Sequence, residues 1–421
     1  MPGVTKSGNG MQRSRYFIGV TAAVMLLTAA ACSSGGSTNA ASGGTGAASS
    51  SSAIPVGIIG SYSGSQASAT GGVPMVAQAW ADTVNAAGGL NGHKIKLFIE
   101  DDAGDPATGI QDANVLIQQD KVVAIVGDAS NVDSAWAPIV EKAGVPVVGG
   151  LSLNETFLTN PDFFASGTNI IALQYGLVAT AKKFGGSIDL LYCAEAATCK
   201  EGATLTDAIA KTDGVSVPMQ APVSATAPDY TAVCQEVKSS GAKTYDILDA
   251  GVLALRIAAA CEQQGVTARL VQVDSQITQA FDGTAAVNNT YAVEIDAPWF
   301  DSSTPATKAY QVAIAKYAPS LGQEDGPEAD YQWVAGQLFE AAVKASGSST
   351  VTSASVKQGL YALKGETLGG LTQPLTFTKG QTPMFNCWFT MAVIGEKFAL
   401  PDGLTTQCAP TAVVAAIAKS L

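Results

Sequence analysis

A single histidine, His93, limits the chemistry open to this chain of 421 residues. A serine nucleophile of the triad type needs a histidine base beside it. His93 lies in the turn-like run Asn91-Gly-His-Lys94 next to a strand pattern, where it reads as a solvated turn residue. The run Gly60-Ser-Tyr-Ser-Gly64 centres tyrosine between its glycines, so it is not a nucleophile elbow. Neither the dinucleotide glycine pattern nor a P-loop is present. Glu100, Asp101, Asp102 and Asp105 have the oxygens for a metal ion, but they sit between a strand and Pro106, which suits helix capping and a turn. No Cys-x-x-Cys occurs. These residues predict no enzyme, no cofactor and no metal centre. What remains are three loops, 61–72, 128–133 and 149–156, rich in serine, asparagine and glycine. They offer hydroxyls and backbone N–H groups rather than catalytic bases.

Those loops are placed by an alternation of strands and helices. An apolar run at 54–60 is followed by a helical pattern with Val76, Ala79, Trp80, Thr83 and Val84 along one face. Gly88-Gly89 stops that helix, because glycine accepts the left-handed cap that other residues resist. The cycle repeats as strand 94–100, helix 108–119, strand 122–126, helix 135–142 and strand 146–148. Alternation at this length predicts βαβ units on a parallel sheet, hence an α/β fold. In such sheets ligands bind outside the carboxyl ends of the strands, in the loops that follow. A second series then begins: helix 171–184, strand 188–192, helix 202–211, strand 215–219, helix 230–239, strand 245–248, helix 254–264, and strands 269–273 and 291–293. Helices 304–318, 329–344 and 353–363 come later. The length exceeds one typical domain and predicts two lobes.

Five ordered motifs carry a resemblance. Ile59-Gly-Ser-Tyr-Ser-Gly64, Asn85-Ala-Ala-Gly-Gly-Leu-Asn-Gly92, Glu100-Asp-Asp-Ala-Gly-Asp-Pro-Ala107, Ile125-Val-Gly-Asp-Ala-Ser130 and Glu141-Lys-Ala-Gly-Val-Pro-Val-Val148 resemble the branched-chain amino-acid binding proteins of ABC importers. The resemblance runs from residue 54 to about 393. It implies a periplasmic-binding-protein-like fold of type I, with two Rossmann-like lobes on parallel sheets joined by a hinge. Lobe one would hold 54–170 and 297–368, and lobe two 171–296 and 369–393. Segments 369–378 and 386–392 would form a closing hairpin, and 394–421 a C-terminal extension. The implied activity is capture of a small polar solute, an amino acid or a related amide or urea-like compound, between the lobes. Delivery would be to the permease subunits of an ABC importer; a ligand-sensing receptor without transport has the same binding fold.

The same resemblance implies a ligand set. In lobe one it comprises Ser63, Ala69 or Thr70, Ser130, Asn131, Leu151 and Leu153, with Ser152 or Asn154 standing in by a shift of the loop. In lobe two, Asp274 stands where the family places the acid that meets an ammonium, and Asp249 ends the preceding strand. Leu153 stands where amino-acid binders carry a small hydroxyl residue, their aromatic near Ala69 is absent, and Cys199 replaces their tyrosine. These departures point away from an ordinary leucine-type ligand. Ser130 and Asn131 equally suit capping of helix 135–142, and Asp274 a strand-end turn. Trp299 and Trp333 read as packing.

The N-terminus reads as export. Lys6, Arg13 and Arg15 precede an apolar run that ends in Ala29-Ala-Ala-Cys32, the pattern of a secretory signal over 1–31. Cysteine after small residues resembles a lipobox, where Cys32 takes a lipid and anchors the protein to the membrane; Ala29-Ala-Ala31 also suits ordinary signal peptidase. Residues 32–52, almost wholly serine, glycine, alanine, threonine and asparagine, read as a flexible tether. Net charge is −12, and −15 without the three basic residues of the signal, which makes nucleic acid a poor partner. Six cysteines remain after Cys32, an even number that suits disulfides in an exported protein. Proximity favours Cys193–Cys199, Cys234–Cys261 and Cys387–Cys408 among fifteen possible pairings. Buried free thiols are the alternative.

Overall fold

The computed structural model describes residues 52–419, apart from Ser65, Gln66, Ala196 and Ala250. The expected signal segment, Cys32 and nearly all of the tether lie outside these residues. The first lobe opens with β1 (Ile54–Gly60), α1 (Ala67–Thr70), α2 (Val73–Ala86), β2 (Ile95–Asp101), α3 (Pro106–Asn114), β3 (Ala124–Asp128), α4 (Asp133–Ala143), β4 (Val147–Gly150), α5 (Thr156–Thr159) and β5 (Phe163–Phe164). The strands form one parallel sheet in the order β2-β1-β3-β4-β5. β3 is buried throughout and β1 nearly so, which is why both read as unbroken apolar runs. Local chemistry sets the helix ends. The Asp105 carboxylate accepts from Thr108 N and Pro106 occupies the first turn of α3, while Gly144 closes α4 at φ 71°.

The second lobe holds α6 (Ile170–Lys183), β6 (Ile188–Cys193), α7 (Ala197–Asp213), β7 (Gln220–Val223), α8 (Thr231–Ser240), β8 (Thr244–Leu248), α9 (Gly251–Gln263), β9 (Arg269–Val273) and β10 (Tyr291–Glu294). β7, β6, β8, β9 and β10 are parallel neighbours. The chain then returns to the first sheet with α10 (Pro305–Tyr317), α11 (Pro327–Ala345) and α12 (Ser353–Ala362). α11 lies directly on β3 and β4. The approach is so close that a Cβ at Gly127 would stand 2.0 Å from Gln332 Oε1.

Three sequence expectations change. The strand expected at 215–219 is displaced to β7, because Val215 N bonds Ala210 O to close α7 and Pro218 interrupts the ladder. The expected hairpin does not pair with itself. Instead β11 (Lys364–Glu366) pairs with β12 (Leu375–Thr376), and β13 (Cys387–Ile394) joins the second sheet antiparallel to β10. Residues beyond 394 do not stand apart: β14 (Lys397–Ala399) and β15 (Gln407–Cys408) both pair with β13, and α13 (Thr411–Ala418) packs on α6. Phe398 of β14 stacks on Phe300 with ring centroids 5.0 Å apart.

The expected cysteine pairs are formed: Cys193–Cys199, Cys234–Cys261 and Cys387–Cys408. The second ties α8 to α9, side by side on one face of the sheet. The chain crosses between the sheets three times, and the crossings bond to one another. Asn169 Nδ2 donates to Phe385 O at 2.6 Å, Gln373 Nε2 to Thr168 Oγ1 at 2.9 Å, and Ala297 N to Leu371 O at 2.8 Å. Among the described residues no helix is long and apolar enough to cross a membrane.

Candidate functional site

The loops at the carboxyl ends of the two sheets face each other. A narrow cleft, partly open to solvent, is bordered by Ala69, Asp325 and Glu328 of the first lobe and by Gly251, Ser275 and Thr278 of the second. Glu328 also meets Asp128, Leu151 and Tyr331 in a crevice too tight to hold a water molecule. Beside it, Val73, Ala129, Leu151 and Tyr331 join one apolar cluster with Val273, Val293 and Ile295 across the boundary. The lobes therefore meet on apolar side chains with polar groups set among them.

The first-lobe hydroxyls are mostly committed to the fold. Ser61 Oγ donates to Asp102 Oδ1 at 2.6 Å and Ser130 Oγ donates to Asp102 Oδ2 at 2.5 Å. Ser130 Oγ also accepts from Trp136 Nε1 and Val132 N, both at 3.1 Å. Asp102, fully buried, thus clamps the loops after β1 and β3 to that after β2. Thr70 is buried and donates to Ser61 O at 2.5 Å, and Ser152 donates to Thr168 O at 2.8 Å. Ser63 and Asn131 are exposed, and Leu153 is partly buried against the apolar cluster. Of the lobe-one candidates, Leu151 comes to the crevice where Tyr331 and Glu328 meet.

In the second lobe Asp274 is fully buried at the end of β9. Its Oδ2 accepts from Ile295 N at 2.8 Å and its Oδ1 from Ser275 N at 2.7 Å. Burial pushes its carboxyl up to about 6. The Tyr331 hydroxyl is buried beside Asp274. Asp249 belongs elsewhere: one of its oxygens, one of Glu195 and Cys193 Sγ lie within 4.8 Å of one another. That sulfur is bonded to Cys199 and has no thiolate to offer a metal.

The sequence reading did not single out Glu294, Asp296, Glu328 or Tyr331. Val273 is in register with Val293, so Asp274 and Glu294 stand side by side, and Asp296 follows two residues on. Burial, then the charge of Asp274, holds the carboxyls of Glu294 and Asp296 well above the usual range. Glu328 is pushed up to about 8, by burial first and Asp274 second. Their signal in the sequence is faint: two acids spaced by one residue at a strand end, and an acid at the start of a helix after Gly326-Pro327.

Two facing α/β lobes with a partly open cleft between them make the architecture of a bilobal solute-binding protein. The periplasmic binding protein family matches residues 53–397, and the chain belongs to that family. It is one of solute-binding proteins, not enzymes, of the extracytoplasmic space. An amino acid binding protein of Pseudomonas aeruginosa is 27% identical over 246 residues, 55% of this chain and 63% of that protein. The match thus spans less than two thirds of that relative. A branched-chain amino acid ABC transporter structure from Thermus thermophilus with bound valine superposes at a TM-score of 0.74, with 13% identity, over 86% of this chain and 97% of that one. A solute binding protein from R. palustris in complex with 4-hydroxybenzoate gives a TM-score of 0.67 at 18% identity, over 86% and 98% of the chains.

Proposed function

We propose that the protein captures a small polar solute between its lobes outside the cytoplasm and hands it to the permease of an ABC importer. The observation that carries this reading is the cleft itself, where Ala69 and Glu328 of one lobe face Ser275 and Thr278 of the other. A solute that touches both lobes stabilises the closed form, because only that form supplies both sets of contacts. Asp274 is the acid for an amine of the solute, with Tyr331 and Leu151 as the opposing wall. Ser63 and Asn131 are the first-lobe polar groups exposed enough to reach a ligand. The bound valine of the Thermus protein and the 4-hydroxybenzoate of the R. palustris protein mark the size of solute such clefts hold. A thermal-shift screen of amino acids, amides and aromatic acids on the purified protein tests the capture reading, since tight binding raises stability by mass action. Neighbouring genes for permease and ATPase subunits distinguish transport from sensing.

The anchor is part of the same proposal. Cys32 carries lipid and the following residues tether the body to the membrane. Cys32→Ala is expected to move the protein to the soluble fraction. Retention in the membrane fraction with no lipid label on the wild type would defeat the anchor.

A further inference from the structure

Around Asp274 the structure buries more acid than an amino acid's single ammonium requires. Glu294 and Asp296 are 2% and 3% exposed, and Asp274 is fully buried. Glu328 and Asp330 approach from α11, and Asp325 from the turn before it. Among the described residues, no lysine or arginine makes an ion pair with any of these six. Some of the acids are accounted for within the fold. Asp274 holds two backbone N–H groups, and Asp325 accepts from Tyr310 at 2.5 Å. Others are not. Among the described residues, both oxygens of Asp296, Oε1 of Glu294 and Oε2 of Glu328 are buried and find no hydrogen-bond partner. A buried polar oxygen without a partner costs free energy, and a buried charge without one costs far more.

We propose that the solute is an amine of net positive charge, such as a basic amino acid or a diamine, whose cationic nitrogen is received by Glu294 and Asp296 of the second lobe and Glu328 of the first, beside Asp274. This rests on the capture reading above and names its substrate class. The acids come from both lobes, so in the empty closed form like groups confront one another across the boundary. A cation between them lets these groups ionise side by side and supplies the missing donors with charge-assisted hydrogen bonds. It also draws protons off: carboxyls that burial keeps protonated ionise when an ammonium arrives, so affinity rises with pH. An organic cation fits better than a metal ion, because Leu151 and Tyr331 give the site apolar walls that only a carbon skeleton uses.

Isothermal titration near neutral pH tests this with L-lysine and putrescine as cations, L-leucine as a neutral zwitterion, L-glutamate as an anion, and calcium chloride. The expected result is binding of L-lysine or putrescine roughly thirtyfold or more tighter than of L-leucine, the factor a buried charge partner typically contributes. Its heat should vary with the ionisation enthalpy of the buffer, as protons are released. Asp296→Asn and Glu294→Gln should each lose a similar factor, while the ligand-free unfolding midpoint holds or rises. A merely structural acid would lower that midpoint and leave the affinity alone. L-leucine or L-glutamate binding as tightly as L-lysine would overturn the cation and leave solute capture standing, as would variants that bind like wild type. Calcium as the sole binder, or silence from every probe, would overturn the cation and leave solute capture to the thermal-shift screen.

Discussion

Ser130 shows how a residue suited to a ligand can be spent on the fold. Its hydroxyl donates to Asp102 and accepts from Trp136 and Val132, so no hydrogen is left for a solute. Ser130→Ala strips Asp102 of one donor and Trp136 of its acceptor. We expect a loss of ~1–3 kcal/mol in urea unfolding, with ligand affinity unchanged; a large affinity loss without destabilisation would return Ser130 to the site. Asp274 is the opposite case. Its two oxygens hold two backbone N–H groups, and asparagine offers one acceptor oxygen where the carboxylate has two. Asp274→Asn should therefore cost ~1–3 kcal/mol of stability and also weaken an amine ligand by ~2–5 kcal/mol. Calorimetry on both proteins separates the two effects. Equal affinities would leave Asp274 a turn residue.

At the scale of elements, the second lobe is fastened by cross-links rather than by its sheet alone. Cys234 and Cys261, 27 residues apart, join α8 to α9 over β8. Closing a loop of that length in the unfolded chain contributes roughly 3–4 kcal/mol on the entropic account. The double variant Cys234→Ala/Cys261→Ala should lose about that much in denaturant unfolding, or less if the unfolded chain is already compact. A loss below ~1 kcal/mol would mean that packing of the two helices carries the stability. Cys387–Cys408 acts differently, since it pins β15 to the strand that closes the second sheet. The C-terminal segment is thereby built into the lobe, and Phe398 reaches Trp299 and Phe300 near one of the crossings.

At the scale of the whole molecule, buried acid sets the response to pH. Burial raises Asp246 to about 7, Asp274 to about 6 and Glu328 to about 8. In the unfolded chain these groups titrate near 4. Raised carboxyls contribute their full stability below about pH 4 and lose it as pH rises through the folded values. Ligand-free protein should accordingly unfold at a higher temperature near pH 5 than near pH 8, the reverse of a protein held by ionised salt bridges. A bound cation should flatten that slope by giving the ionised acids a partner. A ligand-free midpoint that climbs from pH 5 to pH 8 would show that these carboxyls ionise freely in the fold.

The sequence by itself determined what depends on neighbours in the chain. Apolar runs, the Asp105 cap and the Gly88-Gly89 stop placed strands and helices, because those signals act within a turn or two. Five motifs carried the family, and short separations paired the cysteines. Only the tertiary structure decided what depends on partners far along the chain. Ser61 and Ser130 bond Asp102 from 41 and 28 residues away, and Asn131 N reaches Ser61 Oγ across 70. Nothing local in the sequence distinguishes a hydroxyl that clamps a buried acid from one that greets a solute. The displaced β7 obeys the register of β6, not its own apolar pattern. The acids at 274, 294, 296 and 328 come from a strand end, a strand, a crossing and a helix of the other lobe. Asp274 had its place from the family; the other three read alone as solvated side chains or caps, and only the fold brings them beside it.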